Sequence, residues 1–243
     1  MDIKVFEDSK ALGKAAADFC EKVLDKVITK KGHARILLST GASQFDTIEA
    51  LLKTNVDWSK VEMFHLDEYI DLPEDHPASF RKYLKERFLN YINIGKANLV
   101  TPEGDVQEHI AQLQNTIREE EIDIGLIGIG ENAHIAFNDP PADFDTKDAY
   151  IVVDLDEACK KQQMGEGWFA TIDDVPNQAV SMSVSQIMRC KTILSCVPYA
   201  VKADAIQKTV ENDVTNLIPA TILKTHPDFH LYLDKDSASK ISV

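Results

Sequence analysis

His134 stands between Asn132 and Asp139 in the run Gly128-Ile-Gly-Glu-Asn-Ala-His-Ile-Ala-Phe-Asn-Asp139. Imidazole is the side chain that moves protons near neutral pH, and a neighbouring carboxylate or amide fixes its tautomer and aim. Two glycines ahead of it let the backbone turn tightly and approach a ligand closely. The apolar run Ile122 to Ile127 precedes them and reads as a buried strand. The histidine is therefore expected just past a strand end. Gly128, Gly130 and Ala133 also fit the dinucleotide fingerprint, but Pro140-Pro141 stops the long helix which that use needs. The plain alternative is a structural turn with a satisfied histidine.

Two more strand ends carry chemistry. Thr40-Gly41-Ala42-Ser43 leads from the strand-like Arg35 to Ser39 into a helix through Ile48, Leu51 and Leu52. Its N–H groups and the positive helix end suit a phosphate; an ordinary Ser/Thr cap is the simpler use. His65-Leu66-Asp67-Glu68-Tyr69 ends the apolar strand Val61 to Leu66. A carboxylate at the mouth of a pocket is partly desolvated, so its basicity can rise enough to abstract a proton. In a chain with 40 acidic residues, Asp67 would carry little weight alone.

The elements that position these turns alternate in type. Helices are expected from Ser9 through Val27, over Ser79 to Tyr91, Val106 to Glu120 and Ala200 to Glu211. Ala179 to Val184, Lys191 to Val197 and Phe229 to Leu233 are strand-like. Such alternation predicts an α/β, doubly wound, Rossmann-like and mainly parallel sheet with helices on both faces. Ligands of such sheets bind beyond the carboxyl ends of the strands, which gathers the three turns on one edge.

The chain has 243 residues, 44% of them hydrophobic, and no Gly/Ser/Pro-rich linker, so one domain over 1–243 is expected. A net charge of −14 argues against nucleic acid or an anionic membrane as partner. An anionic ligand would need local N–H groups and placed cations. Cys20, Cys159, Cys190 and Cys196 form no C-x-x-C pair, and the seven histidines have no metal-ligand spacing. Free thiols, no metal and a cytoplasmic location are expected. The first residues carry Asp2, Lys4 and Glu7 and resemble neither a signal peptide nor a membrane span.

Phe64-His-Leu-Asp-Glu-Tyr69, Thr40-Gly-Ala-Ser43 and the glycine-histidine segment, at these spacings, resemble the three signature segments of the glucosamine-6-phosphate deaminase/isomerase family. The resemblance extends to His76-Pro77-x-Ser79-Phe80 and Lys202-Ala203-x-Ala205. It implies conversion of glucosamine 6-phosphate and water to fructose 6-phosphate and ammonia, without metal or cofactor. Asp67 would move a proton between C2 and C1. His134 would assist ring opening, tuned by Asn132 and Asp139. Thr40, Gly41, Ala42, Ser43 and Lys202 would hold the phosphate.

The chain departs from the family pattern at Ala42 and Ser43-Gln44, at the short Asp139, and at Gly167, which stands where the family carries a phosphate-binding arginine. Either Lys160, Lys161 or, less readily, Arg81 replaces that cation, or the substrate differs. The polar segment from about 154 to 176 suits a movable lid. The galactosamine equivalent is nearly as well matched as a substrate. The alternatives are a 6-phosphogluconolactonase-like lactone hydrolase, whose motif reads D-E-R rather than Asp67-Glu68-Tyr69, and a non-catalytic sugar-phosphate sensor. Monomer and homo-oligomer both stay open.

Overall fold

The computed structural model describes residues 1–165 and 167–242. Along the chain run β1 (Asp2–Phe6), α1 (Ser9–Lys31), β2 (Ala34–Leu38), α2 (Phe45–Leu51), β3 (Val61–His65), β4 (Asp67–Tyr69), α3 (Phe80–Arg87), β5 (Lys96–Asn98), α4 (Val106–Arg118), β6 (Ile124–Leu126), β7 (Tyr150–Asp154), α5 (Glu157–Gly165), β8 (Gln178–Met182), α6 (Val184–Ile187), β9 (Ile193–Val197), α7 (Ala203–Glu211) and β10 (Phe229–Asp234). Seven strands form one sheet in the order β1-β10-β9-β6-β2-β3-β5, and all six pairings are parallel.

Alternation along the strands sorts side chains to the two faces. Ile36 and Leu38 of β2 and Met63 of β3 pack with Leu12 and Leu24 of α1, Ile48 of α2 and Leu84 of α3. Leu37 and Phe64 face the other way, onto Ile110, Leu113 and Ile117 of α4 and Ile206 of α7. Both faces are thus covered, as a parallel sheet requires. The N-cap of α1 is Asp8, one residue before the expected Ser9; its side chain accepts from Ala11 N at 2.8 Å.

Two expectations change. Asp67–Tyr69 is not a turn but a short strand, and Gln178–Met182 leaves the main sheet to pair with it. β4, β8 and β7 form a separate antiparallel sheet, with Asp67 opposite Ser181. Periodicity could not separate these cases, because a short apolar strand reads alike in either sheet. The consequence is local: the backbone that carries Asp67 is tied into a ladder rather than left in a loop.

Candidate active site

Winding runs from β2 to β3 and β5 on one side, and from β2 to β6, β9, β10 and β1 on the other. The crevice at this reversal, beyond the carboxyl ends, is where such sheets bind ligands. A pocket opens there, lined after β2 by Thr40–Ser43, after β3 by Leu66 and Asp67, after β6 by Gly128–Glu131 and His134, and after β9 by Tyr199 and Lys202. The expected site residues that line it are Thr40, Gly41, Ala42, Ser43, Asp67, His134 and Lys202. Asn132 bonds both His134 and Asp139, and Asp139 lies beside the imidazole.

Asp67 is 7% exposed. Burial pushes its carboxyl up to about 8, and the charge of Glu68 adds to this. Glu68 itself points away into the protein. It is fully buried and accepts from Arg81 Nε at 3.0 Å, Arg81 N at 2.8 Å, Ser79 Oγ at 2.9 Å and Phe80 N at 3.2 Å. The two adjacent acids therefore have separate work: one opens on the pocket, the other satisfies the orphan N–H groups at the start of α3. This also disposes of Arg81 as a phosphate ligand, because its guanidinium is buried and paired with Glu68 and Glu103 and donates to Leu72 O.

Beyond β6 the chain makes a turn and no helix, so the dinucleotide use of Gly128-x-Gly130 fails. Gly130 is needed for another reason. A Cβ built there would stand 2.2 Å from Cε1 of His134, so the imidazole occupies the space a side chain would take. Asn132 is the hub of this turn: its Oδ1 accepts from His134 N at 3.0 Å, and its Nδ2 donates to Asp139 Oδ1 at 2.9 Å. His134 Nδ1 lies 3.1 Å from the same Oδ1. This is ion-pair proximity without a well-aligned hydrogen bond, since Nδ1 is a buried atom lacking such a partner. The contact is direct despite the short aspartate. Burial works against ionisation of Asp139, but His134, Asn132 and the Cys159 thiol outweigh it and hold the carboxyl at about 2.

The turn after β2 is built for backbone contact. Gly41 adopts φ +103, which favours glycine. Tyr83 Oη donates to Gly41 O at 3.1 Å, and Gln44 Nε2 donates to Ser43 Oγ and to Cys196 O, both at 3.0 Å. Lys202, 8% exposed, is the one Lys or Arg among the described residues that line the pocket. Lys160 bonds Asn177 and Lys161 pairs with Glu157, so neither is directed at it. Gly167 sits at φ +83 with nothing within 4 Å of a Cβ position, and Glu166 lies outside the described residues. From this segment the pocket receives Gln162 and Gln163 instead.

Sequence reasoning missed both glutamines, together with Tyr199, Glu131, Phe80 and Phe137. The glutamine-rich composition of the segment was the available signal for the first two. Nothing in the sequence signals that Tyr199 takes φ +83, held by a bond from its N to Asp234 Oδ2 at 2.9 Å. No group of three or more His, Cys, Asp or Glu able to hold a metal occurs among the described residues. No helix there is long and apolar enough to cross a membrane.

The family model described as glucosamine-6-phosphate isomerases/6-phosphogluconolactonase matches residues 7–231. The chain belongs to this family. It is 36% identical over 249 residues to a glucosamine-6-phosphate deaminase of Clostridium novyi, covering 99% of this chain and 100% of that one. It is 38% identical over 228 residues to a glucosamine-6-phosphate deaminase of Staphylococcus epidermidis, covering 90% and 91%. Among solved structures, a monomeric glucosamine-6-phosphate deaminase described as a missing link of the NagB superfamily superposes with a TM-score of 0.90 at 27% identity, covering 99% and 100%. A 6-phosphogluconolactonase of Trypanosoma brucei shares the fold, with a TM-score of 0.81 at 16% identity over 99% and 98%.

Proposed function

We propose that this protein is an amino-sugar-phosphate deaminase/isomerase acting on a hexosamine 6-phosphate, glucosamine 6-phosphate first. The observation that carries the reading is the buried Asp67 carboxyl, pushed to about 8, in one pocket with His134 and the Thr40–Ser43 turn. A carboxylate of raised basicity is what removal of a carbon-bound proton needs. The substrate's ammonium, bound close by, draws that carboxyl towards its ionised form.

The steps conserve electrons without a cofactor. His134 shuttles the proton between the anomeric hydroxyl and the ring oxygen, which opens the ring to the C1 aldehyde. Asp67 takes the C2 proton and returns it at C1, while the C1 oxygen gains the proton that the C2 ammonium gives up, so C1 is reduced to an alcohol as C2 is oxidised to an iminium. Water adds to C2, and ammonia leaves to give the ketose. Asn132 and Asp139 hold the imidazole, Asp139 as the anion beside its Nδ1. The phosphate sits on the N–H groups of Gly41, Ala42 and Ser43 with Lys202 as its cation.

One chain supplies every group in this scheme, so a monomer suffices. Cysteines that are free and buried at all four positions support a reducing, cytoplasmic setting. Lactone hydrolysis has no use for a carbon base at Asp67. The deciding experiment is ammonia release from glucosamine, galactosamine and mannosamine 6-phosphates, run beside hydrolysis of 6-phosphogluconolactone. Lactone hydrolysis without ammonia release would overturn the reading.

A further inference from the structure

Tyr69 lies two residues from Asp67 yet faces away from solvent altogether. Its ring sits among aromatic neighbours, 5.2 Å from Phe80, 5.2 Å from Phe137 and 5.6 Å from Phe169. Phe80 and Phe137 line the pocket, while Phe169 belongs to the 154–176 segment and stacks on His76 at 5.4 Å. The Tyr69 hydroxyl lies among these rings and donates to Gln163 Oε1 at 2.7 Å. Gln163 is 94 residues away in sequence, buried, and carried by α5. Leu155, Cys159 and Val175, which flank or belong to the same segment, join the Tyr69 cluster. A polar pair in an apolar cluster is costly unless both members meet. Here they meet with α5 against the pocket.

Resting on the activity proposed above, we infer that Tyr69 is a positioning residue: its bond to Gln163 docks α5 as a lid over the pocket and so keeps water from Asp67. The lid then couples to the chemistry through solvent exclusion. The titratable groups around Asp67 are the Tyr150 hydroxyl on β7, the Cys159 thiol on α5, Glu68 turned away on the same strand, and Glu131, His134 and Lys202 in the shared pocket. Burial favours the neutral form of both the tyrosine and the cysteine. Admitting water on that side lowers the pH at which Asp67 ionises.

The test compares Tyr69→Phe, Gln163→Leu and the double variant in a Trp58→Phe background, where Trp168 on the same segment is the sole tryptophan. Stranding the glutamine in Tyr69→Phe should lower the docking equilibrium constant roughly 5- to 100-fold. Without any ligand, Trp168 emission should shift to the red and acrylamide quenching should rise. With glucosamine 6-phosphate, KM should rise more than kcat falls, and the acid limb of kcat/KM should move to lower pH. The double variant replaces both partners with apolar groups, which is close to neutral, and should recover much of both readouts. Folded Tyr69→Phe with unchanged Trp168 quenching and an unmoved acid limb overturns the inference. Strictly additive losses in the double variant do so as well. If the wild-type protein releases no ammonia, the activity reading falls on its own, and ligand-free quenching still decides the lid.

Discussion

Replacing Asp67 with asparagine should make the protein more stable as it becomes inactive, and the gain should grow with pH. The carboxyl moves from 3.8 to about 8 on folding, chiefly through burial. Between those values the unfolded chain has released this proton while the folded chain keeps it. Native stability therefore falls as pH rises, with a slope of about 1.4 kcal/mol per pH unit for one proton. The full penalty, reached above about pH 8, is on the order of 6 kcal/mol. Asparagine carries no such proton in either state, so Asp67→Asn escapes it. Urea unfolding of both proteins from pH 5 to 9 gives the curves. Their difference should widen by about 4 kcal/mol between pH 5 and 8 and then level off. Ammonia release by the variant should fall roughly 10²- to 10⁴-fold. Parallel stability curves would refute the claim that folding raises Asp67, and near-normal ammonia release would remove it as the carbon base.

The remaining residues give sharper variants. For wild-type protein, kcat/KM should climb with pH through about 8 as Asp67 ionises; a profile flat from pH 6 to 9 counts against its role. His134→Gln should be impaired on cyclic substrate yet still exchange the C1 proton of open-chain fructose 6-phosphate with solvent, as followed by NMR in deuterium oxide; equal loss of both denies the division of labour. Gly130→Ala drives a methyl into the imidazole and should cost activity comparable to His134→Gln with little loss of melting temperature; retained activity contradicts the packing. Lys202→Ala should raise KM strongly and Lys202→Arg less so, because the fork is larger and differently aimed; an unchanged KM for Lys202→Ala would mean the phosphate is held elsewhere. Arg81→Met strands the buried Glu68 and should destabilise by about 3–5 kcal/mol in urea unfolding, whereas a variant of wild-type stability would show the pair to be dispensable.

The three strand ends were legible, though Asp67–Tyr69 proved a strand and not a turn, because each combines an apolar run with an abrupt change of residue type, as at Leu38 to Thr40, Leu66 to Asp67 and Ile127 to Gly128. Parallel winding then fixes that such ends share an edge, and the observed pocket follows. What stayed hidden depends on contacts between distant segments. Glu68 and Asp67 are neighbours of the same charge class, and only the start of α3 reveals that one is a structural cap. The same holds for Arg81, a plausible cation in sequence and a buried partner in space. Gly167 looked like a vacancy for an arginine, yet its φ of +83 disfavours any side chain there. A cation added at Gln162, which already lines the pocket, is the better-founded replacement. Lys96–Asn98 was missed because three residues of mixed polarity carry too little periodicity, whereas Tyr150–Asp154 was missed although its apolar run Tyr150 to Val153 offered a strand signal.

The pairing of β1 with β10 carries a consequence for how the chain comes to exist. Asp2 to Phe6, which precedes the other strands of the sheet, finds its partner at His230 to Asp234, and Lys4 reaches Tyr232 across 228 residues. Until that late segment leaves the ribosome, the opening strand has no neighbour, and its amides must wait in water or with a chaperone. β2, β3 and β6, whose ends carry Thr40, Asp67 and His134, can close among themselves much earlier. The pocket edge that these three strands carry can thus close before β10 is made and can pair with β1.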